Sequence, residues 1–321
     1  MNYKPIIIVA GEPNSIFFEI YFKALKNHSY KNPLIVIGSQ KILLLQMKKL
    51  NFSMKIRLIK INNINDYVLN NKSINLINVN YYQHKVFEKS SKKSNFYISN
   101  CFNVAFKLLN DGFTDKLING PINKKNFLNK KYLGITEYLA DNFDTRITAM
   151  LIYNKNLSVC PITTHLPIKM VSNKINANLI YNKIKLINSF YKKKFLIIPK
   201  IALLGLNPHC ESVLKYNEDE KILKPLIKKL KKYNMRVSGP YSADTIFLKE
   251  NRKKFNVIVG MYHDQVLTPM KTLFEYDAIN ITLGLPFTRV SPDHGPNESM
   301  LGQNLSNTLS LIKAIKFLEK N

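Results

Sequence analysis

The sequence is poor in cysteine. Its three cysteines, Cys101, Cys160 and Cys210, are widely spaced, their number is odd, and no CxxC pair occurs. This pattern argues against structural disulfides, and Cys101 and Cys160 are expected to be buried apolar residues of a protein in a reducing compartment. The cysteines therefore favour a cytoplasmic location.

Long apolar runs and nucleotide-binding fingerprints are also missing. No apolar run approaches the roughly 20 residues that a membrane-spanning helix needs. The apolar part of the N-terminal segment is too short for a secretory signal, and this segment is expected to form the first strand of the mature protein. The chain has no GxGxxG and residues 119–124 are not a Walker loop, so no nucleotide cofactor follows from a fingerprint.

Acidic residues are scarce. The chain has 48 Lys and Arg against 21 Asp and Glu, which gives a formal net charge of +27. So large a charge suggests a polyanion-binding protein. Lys, however, is used throughout the chain together with Asn and Ile, as in a general drift of composition, and the basic clusters at 192–194 and 228–232 lack interleaved aromatics. No nucleic-acid partner is therefore expected.

What the sequence does contain is an alternation of short apolar runs with amphipathic segments. Its 321 residues suit two domains or one large α/β unit. Apolar runs at 5–10, 33–39, 116–119, 200–206 and 257–259 predict buried strands; shorter strand-like runs lie at 56–59 and 74–79, and a further apolar run lies at 279–283. Runs at 147–153 and 157–162 predict neighbouring strands that could form a hairpin around 154–156. Amphipathic segments at 97–110, 177–190 and 307–318 predict helices. This alternation is typical of an α/β fold with a mostly parallel sheet.

Three of the six histidines share one context. His165, His209 and His263 each follow an apolar strand-like run, in TTHLP, LNPHC and GMYHDQ. Parallel strands end at a common edge, where ligands bind. The three imidazoles could therefore hold Zn²⁺ or another divalent metal and leave a position open for substrate. The alternative is three separate capping or hydrogen-bonding histidines; His294 is ambiguous.

Charged residues near these histidines are further candidates. Asp264 could orient His263 or take a proton, and it could equally cap the next helix. Asp244 has the same two interpretations. Lys271 and Arg289 could bind a carboxylate or phosphate. An arbitrary Lys in so basic a chain faces solvent, so Arg289 is the more informative of the two.

Eight motifs follow one another along nearly the whole chain. They are GEP (11–13), NGPINK (119–124), GITEYLA (134–140), TTHLP (163–167), GLNPH (205–209), GPYSADT (239–245), YHDQ (262–265) and NITLGLPFTRVSPDHG (280–295). This ordered set resembles the 4-hydroxythreonine-4-phosphate dehydrogenase family. YHDQ followed by NITLGLPF is highly specific.

The resemblance implies an α/β fold of the isocitrate/isopropylmalate dehydrogenase-like type, with a cleft between two α/β domains. The first domain would hold residues 1–130 and 298–321, and the second residues 131–297. The resemblance also implies a homodimer with its active site at the interface. The implied reaction is NAD-dependent oxidation of 4-phosphooxy-L-threonine and decarboxylation to 3-amino-2-oxopropyl phosphate, in pyridoxal phosphate biosynthesis; the choice between NAD and NADP stays open.

The resemblance also assigns roles to residues. His165, His209 and His263 would be the metal ligands, contributed across the dimer, for Zn²⁺ or else for Mg²⁺ or Co²⁺. Such an ion polarises a bound hydroxyl or carbonyl oxygen. The positions that match substrate-binding residues of the family are Thr136, Lys271, Asn280 and Arg289. The catalytic candidates are Asp244, Asp264 and Lys271.

The chain departs from the family pattern at four places. Ile135 replaces a substrate-contacting His of GHTE, and residues 210–214 replace a glycine-rich run. The first turn reads GEPNSIFFE instead of GEPAGIGPE, and Val266 replaces a glycine after YHDQ. Lost glycines restrict the backbone and obstruct close approach of a ligand. We therefore expect activity that survives but is weakened.

Three other functions stay open. The first is a metal-dependent dehydrogenase of another phosphorylated hydroxy acid, such as a 4-phosphorylated threonate or erythronate. The second is a non-catalytic homologue that retains only the fold and the dimer. The third is a polyanion-binding protein, for which only the net charge argues. A substrate panel, a metal analysis and the salt dependence of binding would separate them.

Overall fold

The computed structural model describes residues 3–123, 127, 132, 134–211, 217–292 and 295–319. Several residues named above lie outside this part: Lys124, Ser212, Val213, Leu214, Asp293 and His294. Contacts divide the chain into unit 1, Met1–Ile135 with Pro286–Asn321, and unit 2, Thr136–Leu285. The domain limits predicted from the sequence, 131 and 297, stay a prediction.

Twelve strands are found among the described residues. They are β1 (Ile6–Val9), β2 (Leu34–Gly38), β3 (Ile56–Leu58), β4 (Ile74–Asn78), β5 (Lys116–Asn119), β6 (Ala149–Asn154), β7 (Leu157–Thr163), β8 (Ile201–Leu204), β9 (Val237–Tyr241), β10 (Val257–Tyr262), β11 (Ile279–Leu283) and β12 (Thr288–Pro292).

The helices of the described residues lie between these strands. They are α1 (Phe17–Asn27), α2 (Gln40–Lys49), α3 (Lys92–Asn110), α4 (Ile135–Asn142), α5 (Val171–Lys174), α6 (Ala177–Phe195), α7 (Lys224–Lys232), α8 (Ala243–Ile246), α9 (Lys249–Arg252), α10 (His263–Phe274) and α11 (Leu309–Glu319). None of the helices in this part of the chain has the length and apolar character that crossing a bilayer requires.

Unit 1 is an all-parallel arrangement. Its strands follow the order β3-β4-β2-β1-β5-β12, and each described pair is parallel. The four residues of β1 are all buried apolar side chains. A strand covered on both faces needs such a continuous apolar run rather than an alternating one.

Unit 2 is mixed. Its order is β11-β6-β7-β10-β8-β9; β11 and β7 both pair antiparallel with β6, whereas β7, β10, β8 and β9 are mutually parallel. The antiparallel pair β6–β7 confirms the hairpin predicted from the two neighbouring apolar runs. The core of unit 2 is made of side chains from β6, β7, β8 and β10, and Val266 and Met270 of α10 cover it.

Two strands have no counterpart in the sequence prediction. β9 contains Gly239 and Pro240, which weaken a strand signal, but β9 is the last strand of its unit, and an edge strand tolerates Pro. β12 includes Arg289, a charged residue in the middle of a short run. Arg289 therefore lies inside a strand and not in the loop that follows β11.

Candidate active site

Four adjacent parallel strands of unit 2 end at one edge of the sheet. β10 pairs with β7 on one side and β8 on the other, and β9 pairs with β8. His165 follows β7, His263 follows β10, His209 follows β8 and Asp244 follows β9. The predicted common edge is confirmed, because the carboxyl ends of parallel neighbours point the same way.

His165 and His263 form a pair at this edge. Their ring centroids are 6.0 Å apart and their planes are inclined by 35°. The ends of their strands are joined by the Thr163 hydroxyl, which donates to the carbonyl of Met261 at 2.8 Å. His165 has a φ of 48°, an unfavourable backbone state for a residue with a side chain. Such strain is typical of functional positions that the surrounding structure holds in place.

Asp264 contacts the ring of His263. Its carboxylate oxygen lies 2.6 Å from Nδ1 of His263. In the neutral ring that hydrogen bond requires the proton on Nδ1, which leaves the lone pair of Nε2 for a metal or a proton donor. Asp264 is at the first turn of α10, so its charge also suits the helix dipole there. Asp264 is thus placed to orient His263, whereas the predicted capping role is wrong, because the N-cap of α10 is Tyr262 and among the described residues no side chain caps this helix start.

His209 lies in a 3₁₀ turn, Pro208–Cys210, and faces Asp244. Its φ is 56°, so a second of the three histidines has a left-handed backbone. The hydroxyl of Ser242 donates to Asp244 at 2.6 Å, and this bond, with a smaller contribution from nearby His209, holds the pKa of Asp244 below its usual range. Asp244 is therefore an ionised carboxylate beside His209 at neutral pH.

The described residues contain no group of three or more His, Cys, Asp or Glu side chains placed to hold a divalent metal ion. A metal about 2.0 Å from an imidazole nitrogen lies about 3.2 Å from the ring centre, so two rings with centroids 6.0 Å apart can share one ion. Imidazole nitrogen suits Zn²⁺ and Co²⁺. The pair thus fits part of a metal site that needs further donors.

Thr136 and Asn280 are connected through β11. The hydroxyls of Thr136, in the first turn of α4, and Thr282 are 3.5 Å apart. Thr282 and Asn280 are two residues apart in β11, so their side chains point to the same face. Oδ1 of Asn280 is buried and has no hydrogen-bond partner among the described residues. An acceptor of this kind is suited to a donor group of a ligand.

Lys271 is an exposed residue of α10, the helix that begins with His263. Eight residues of helix place these two Cα atoms about 12 Å apart along the axis. Lys271 therefore lies about two helical turns from the strand edge that carries the histidines.

Arg289 belongs to unit 1 and is only 1% exposed. Its Nε donates to the side-chain oxygen of Asn119 at 2.7 Å, next to the GPIN turn. In the same unit the GEP and GPIN turns touch: the N–H of Glu12 donates to the carbonyl of Pro121 at 2.9 Å. A Cβ on Gly11 would come within 2.3 Å of that oxygen, so only glycine fits there. Arg289 is thus held beside a tight pair of turns.

Two departures from the family pattern have a structural reading. Val266 is fully buried in the core of unit 2, and its Cγ1 would be 2.5 Å from a Cβ on Gly260. Val266 therefore fills core space and does not obstruct a ligand. Ile135 is also nearly buried, at 9% exposed, but it does not belong to this core cluster. It directly precedes Thr136 at the start of α4.

Four residues that contact the candidate site were not singled out by the sequence analysis. Asp219 and Gln265 contact the turn that leads to His209, Thr282 contacts Thr136, and Asn119 binds Arg289. Gln265 and Asn119 lie inside the YHDQ and NGPINK motifs, and Thr282 has the spacing of Asn280, so three had a signal. Asp219 had none, because it lies in an acidic segment typical of a helix start.

Comparison with known proteins gives a consistent result. A model of the family described as pyridoxal phosphate biosynthetic protein PdxA matches residues 29–318. The chain is 39% identical over 320 residues to a 4-hydroxythreonine-4-phosphate dehydrogenase of Sulfurihydrogenibium sp., covering 97% of this chain and 96% of that protein. It is 32% identical over 302 residues to the D-threonate 4-phosphate dehydrogenase of Salmonella typhimurium, covering 92% of each.

The fold agrees with these relatives. The crystal structure of 4-hydroxythreonine-4-phosphate dehydrogenase from Klebsiella pneumoniae matches with a TM-score of 0.86 and 27% identity over 99% of both chains. The predicted isocitrate/isopropylmalate dehydrogenase-like α/β fold is confirmed. Motif order, fold and sequence identity agree, and the chain belongs to the pyridoxal phosphate biosynthetic protein PdxA family of dehydrogenases.

Proposed function

We propose that this chain oxidises 4-phosphooxy-L-threonine with NAD and releases CO₂ to give 3-amino-2-oxopropyl phosphate, in pyridoxine 5′-phosphate biosynthesis. The observation that carries the proposal is the common strand edge with His165, His263, His209 and Asp244. The protein would work in the cytoplasm as a homodimer with its active site at the interface. The partner subunit would complete the metal site that one chain forms only in part.

The reaction has two balanced steps. The hydroxyl carbon loses a hydride and its oxygen loses a proton, which gives a β-keto acid. The C–C bond to the carboxylate then breaks, its electron pair forms an enolate, and a proton returns to carbon. When bound, NAD would accept the hydride, and a divalent ion, Zn²⁺ or else Mg²⁺ or Co²⁺, would polarise the hydroxyl oxygen.

The side chains of this chain supply binding and proton transfer. His165, His209 and His263 would hold the ion, and Asp264 would keep Nε2 of His263 free of a proton. Asp244, an ionised carboxylate, would accept the hydroxyl proton. Lys271 would bind the phosphate and stabilise the enolate, and Arg289 would bind an anionic group of the substrate. Thr136 and Asn280 would orient the substrate by hydrogen bonds.

A second candidate substrate is 4-phosphorylated D-threonate or erythronate. Ile135 favours it, because an apolar side chain stands where the family has a substrate-contacting His. The relative named D-threonate 4-phosphate dehydrogenase also matches 92% of the chain. The two substrate classes differ in an amine or hydroxyl beside the carboxylate, which a contact at position 135 could distinguish.

A substrate panel tests these proposals. The purified protein, stripped with EDTA and reloaded with Zn²⁺, Co²⁺ or Mg²⁺, would be assayed for NAD reduction with each phosphorylated substrate. We expect turnover of 4-phosphooxy-L-threonine, with release of CO₂ in equal amount and loss of activity after EDTA. Turnover of phosphothreonate alone would establish the second candidate. Absence of both turnover and stoichiometric metal would indicate a non-catalytic homologue.

A further inference from the structure

Asp219 is a fully buried carboxylate next to the edge that carries the histidines, with 0% of its surface exposed. Its Oδ1 accepts the N–H of Leu206 at 2.8 Å. Its Oδ2 accepts both the backbone N–H of Asn207 at 3.1 Å and the side-chain Nδ2 of the same residue at 2.8 Å. All three donors belong to the turn of residues 205–207, which connects β8 to His209. A buried carboxylate needs such donors to replace the water that it has lost.

The same turn is tied to the neighbouring strand. Nε2 of Gln265 donates to the carbonyl of Gly205 at 2.8 Å, and its Oε1 accepts the N–H of Met261 at 2.6 Å. Met261 lies two residues before His263. The turn 205–207 is therefore held between Asp219 on one side and β10 on the other.

The backbone of this turn is tightly packed at Gly205. A Cβ on Gly205 would lie 2.6 Å from Sγ of Cys210 and 2.9 Å from Oδ1 of Asp219, so the backbone packs directly on the carboxylate. His209 and Cys210 both have positive φ, 56° and 61°. Two consecutive residues in this state cost free energy that other contacts must offset. The hydrogen bonds of Asp219 to the preceding residues are such contacts.

We infer that Asp219 is a positioning residue that fixes the turn 205–207 and so sets where the imidazole of His209 stands relative to His263. The inference rests on the proposed function in one respect: His209 and His263 serve the same metal site. Asp219 itself touches neither substrate nor metal. Its effect on the reaction passes through His209.

The variant Asp219→Asn tests the inference with almost no change in volume. Its amide nitrogen cannot accept the two N–H groups that Oδ2 accepts, or, after rotation, the one that Oδ1 accepts. We expect the affinity of the substrate-free protein for Co²⁺, followed by its visible absorption and by calorimetry, to fall at least about tenfold, the range typical of lost support for a metal ligand. Excess Co²⁺ should restore part of kcat.

Tyr191→Phe is the matched control. It removes a buried hydrogen bond of 2.8 Å to Ser158, which lies near the opposite end of β7 from His165. It should lower the melting temperature and leave Co²⁺ affinity unchanged, which separates positioning from general destabilisation. If Asp219→Asn does not fold, Asn207→Ala, which removes one donor from a half-buried residue, should weaken Co²⁺ binding less and in the same direction.

A second readout distinguishes the two ways of failing. The ¹⁵N and ¹H signals of the His209 ring in the metal-free protein should shift in Asp219→Asn and not in Tyr191→Phe. If the unaltered protein binds no Co²⁺, the proposed function is refuted, and these signals alone decide whether Asp219 positions His209. Unchanged ring signals and unchanged Co²⁺ affinity in a folded Asp219→Asn protein would overturn the inference.

Discussion

At the scale of single residues, the contact between His263 and Asp264 determines how the imidazole ring of His263 is oriented. At 2.6 Å from Nδ1, the carboxylate of Asp264 restrains the rotation of the imidazole ring. A histidine held in this way needs little further ordering before it can bind a metal. Asp264 is an exposed residue, so replacing it should change the site without disturbing the core.

Asp264→Ala should therefore weaken binding of Zn²⁺ or Co²⁺ by about 10- to 100-fold, the usual effect of losing such a partner. Calorimetric titration of the metal-stripped protein measures it. Asp264→Asn keeps an oxygen that can accept from Nδ1 and loses only the charge, so its effect should be smaller. Equal affinity in the Ala variant and the unaltered protein would show that His263 is not a ligand oriented by this carboxylate.

Position 135 decides between substrates. Ile135→His restores the residue of the family pattern beside Thr136. We expect kcat/KM for 4-phosphooxy-L-threonine to rise by about tenfold, equivalent to about 1.4 kcal/mol of transition-state stabilisation. Steady-state kinetics with both substrate classes measure the change, and Ile135→Leu, which stays apolar at similar volume, should show none. If kcat/KM does not rise, the weakened-activity reading of Ile135 is wrong.

At the scale of elements, the sequence predicted the strands whose residues form a continuous apolar run. The buried strands β1, β2, β8 and β10 have continuous apolar runs, and a covered parallel strand needs just that pattern. The histidines could be placed at one edge because strand direction follows from α/β alternation. That the metal ligands are contributed across a dimer is implied by the resemblance alone and stays a prediction, because the apolar pattern of one chain carries no information about it.

The features that could not be predicted from the sequence depend on tertiary contacts. β12 was missed because Arg289 interrupts its apolar run. This buried arginine donates its Nε–H to the side chain of Asn119, a contact that the sequence does not reveal. Asp219 was missed because an acidic residue before a Lys-rich helix already has an explanation in the helix dipole. Its partners at 206 and 207 are more than ten residues away in sequence, across a segment without periodicity.

The turn that follows β1 makes a pH-dependent contribution to stability. Burial raises the pKa of Glu12, a residue that is 2% exposed, although hydrogen bonds from Asn14 partly oppose the shift. A carboxyl whose pKa is raised in the folded state opposes folding once it is ionised. It has no effect below its unfolded pKa near 4.5; as pH rises from there to the folded pKa, stability is lost, and above it the loss is constant.

Glu12→Gln removes the ionisable group and keeps its shape. We expect the variant to unfold at higher temperature than the unaltered protein at pH 7 to 8, and the difference to vanish below about pH 4.5. Calorimetric scans across this pH range measure it. Glu250→Gln, on the exposed helix α9, is the control and should show no such pH-dependent gain. A gain that persists at pH 4 would contradict the burial argument.

At the scale of the whole molecule, the net charge of +27 is the dominant feature. The site explains few of these charges, since Lys271 and Arg289 are only two of 48 cations. A surplus of like charge opposes the compact state by self-repulsion, and salt screens it over about 10 Å at 0.1 M. The charge should therefore influence stability more than it serves as a binding surface.

Two outcomes follow for experiments with salt. The melting temperature should rise by several degrees between about 20 and 300 mM NaCl. Lys185→Gln with Lys228→Gln, two exposed residues that lie outside the last turns of α6 and α7, should raise it at low salt and flatten the response, because lysines there have no favourable dipole contact to lose. A polyanion-binding protein would instead retain random-sequence duplex DNA at physiological salt with a steep salt slope and lose it in this double variant. Tight retention of that kind would show that the surface charge is itself a binding site.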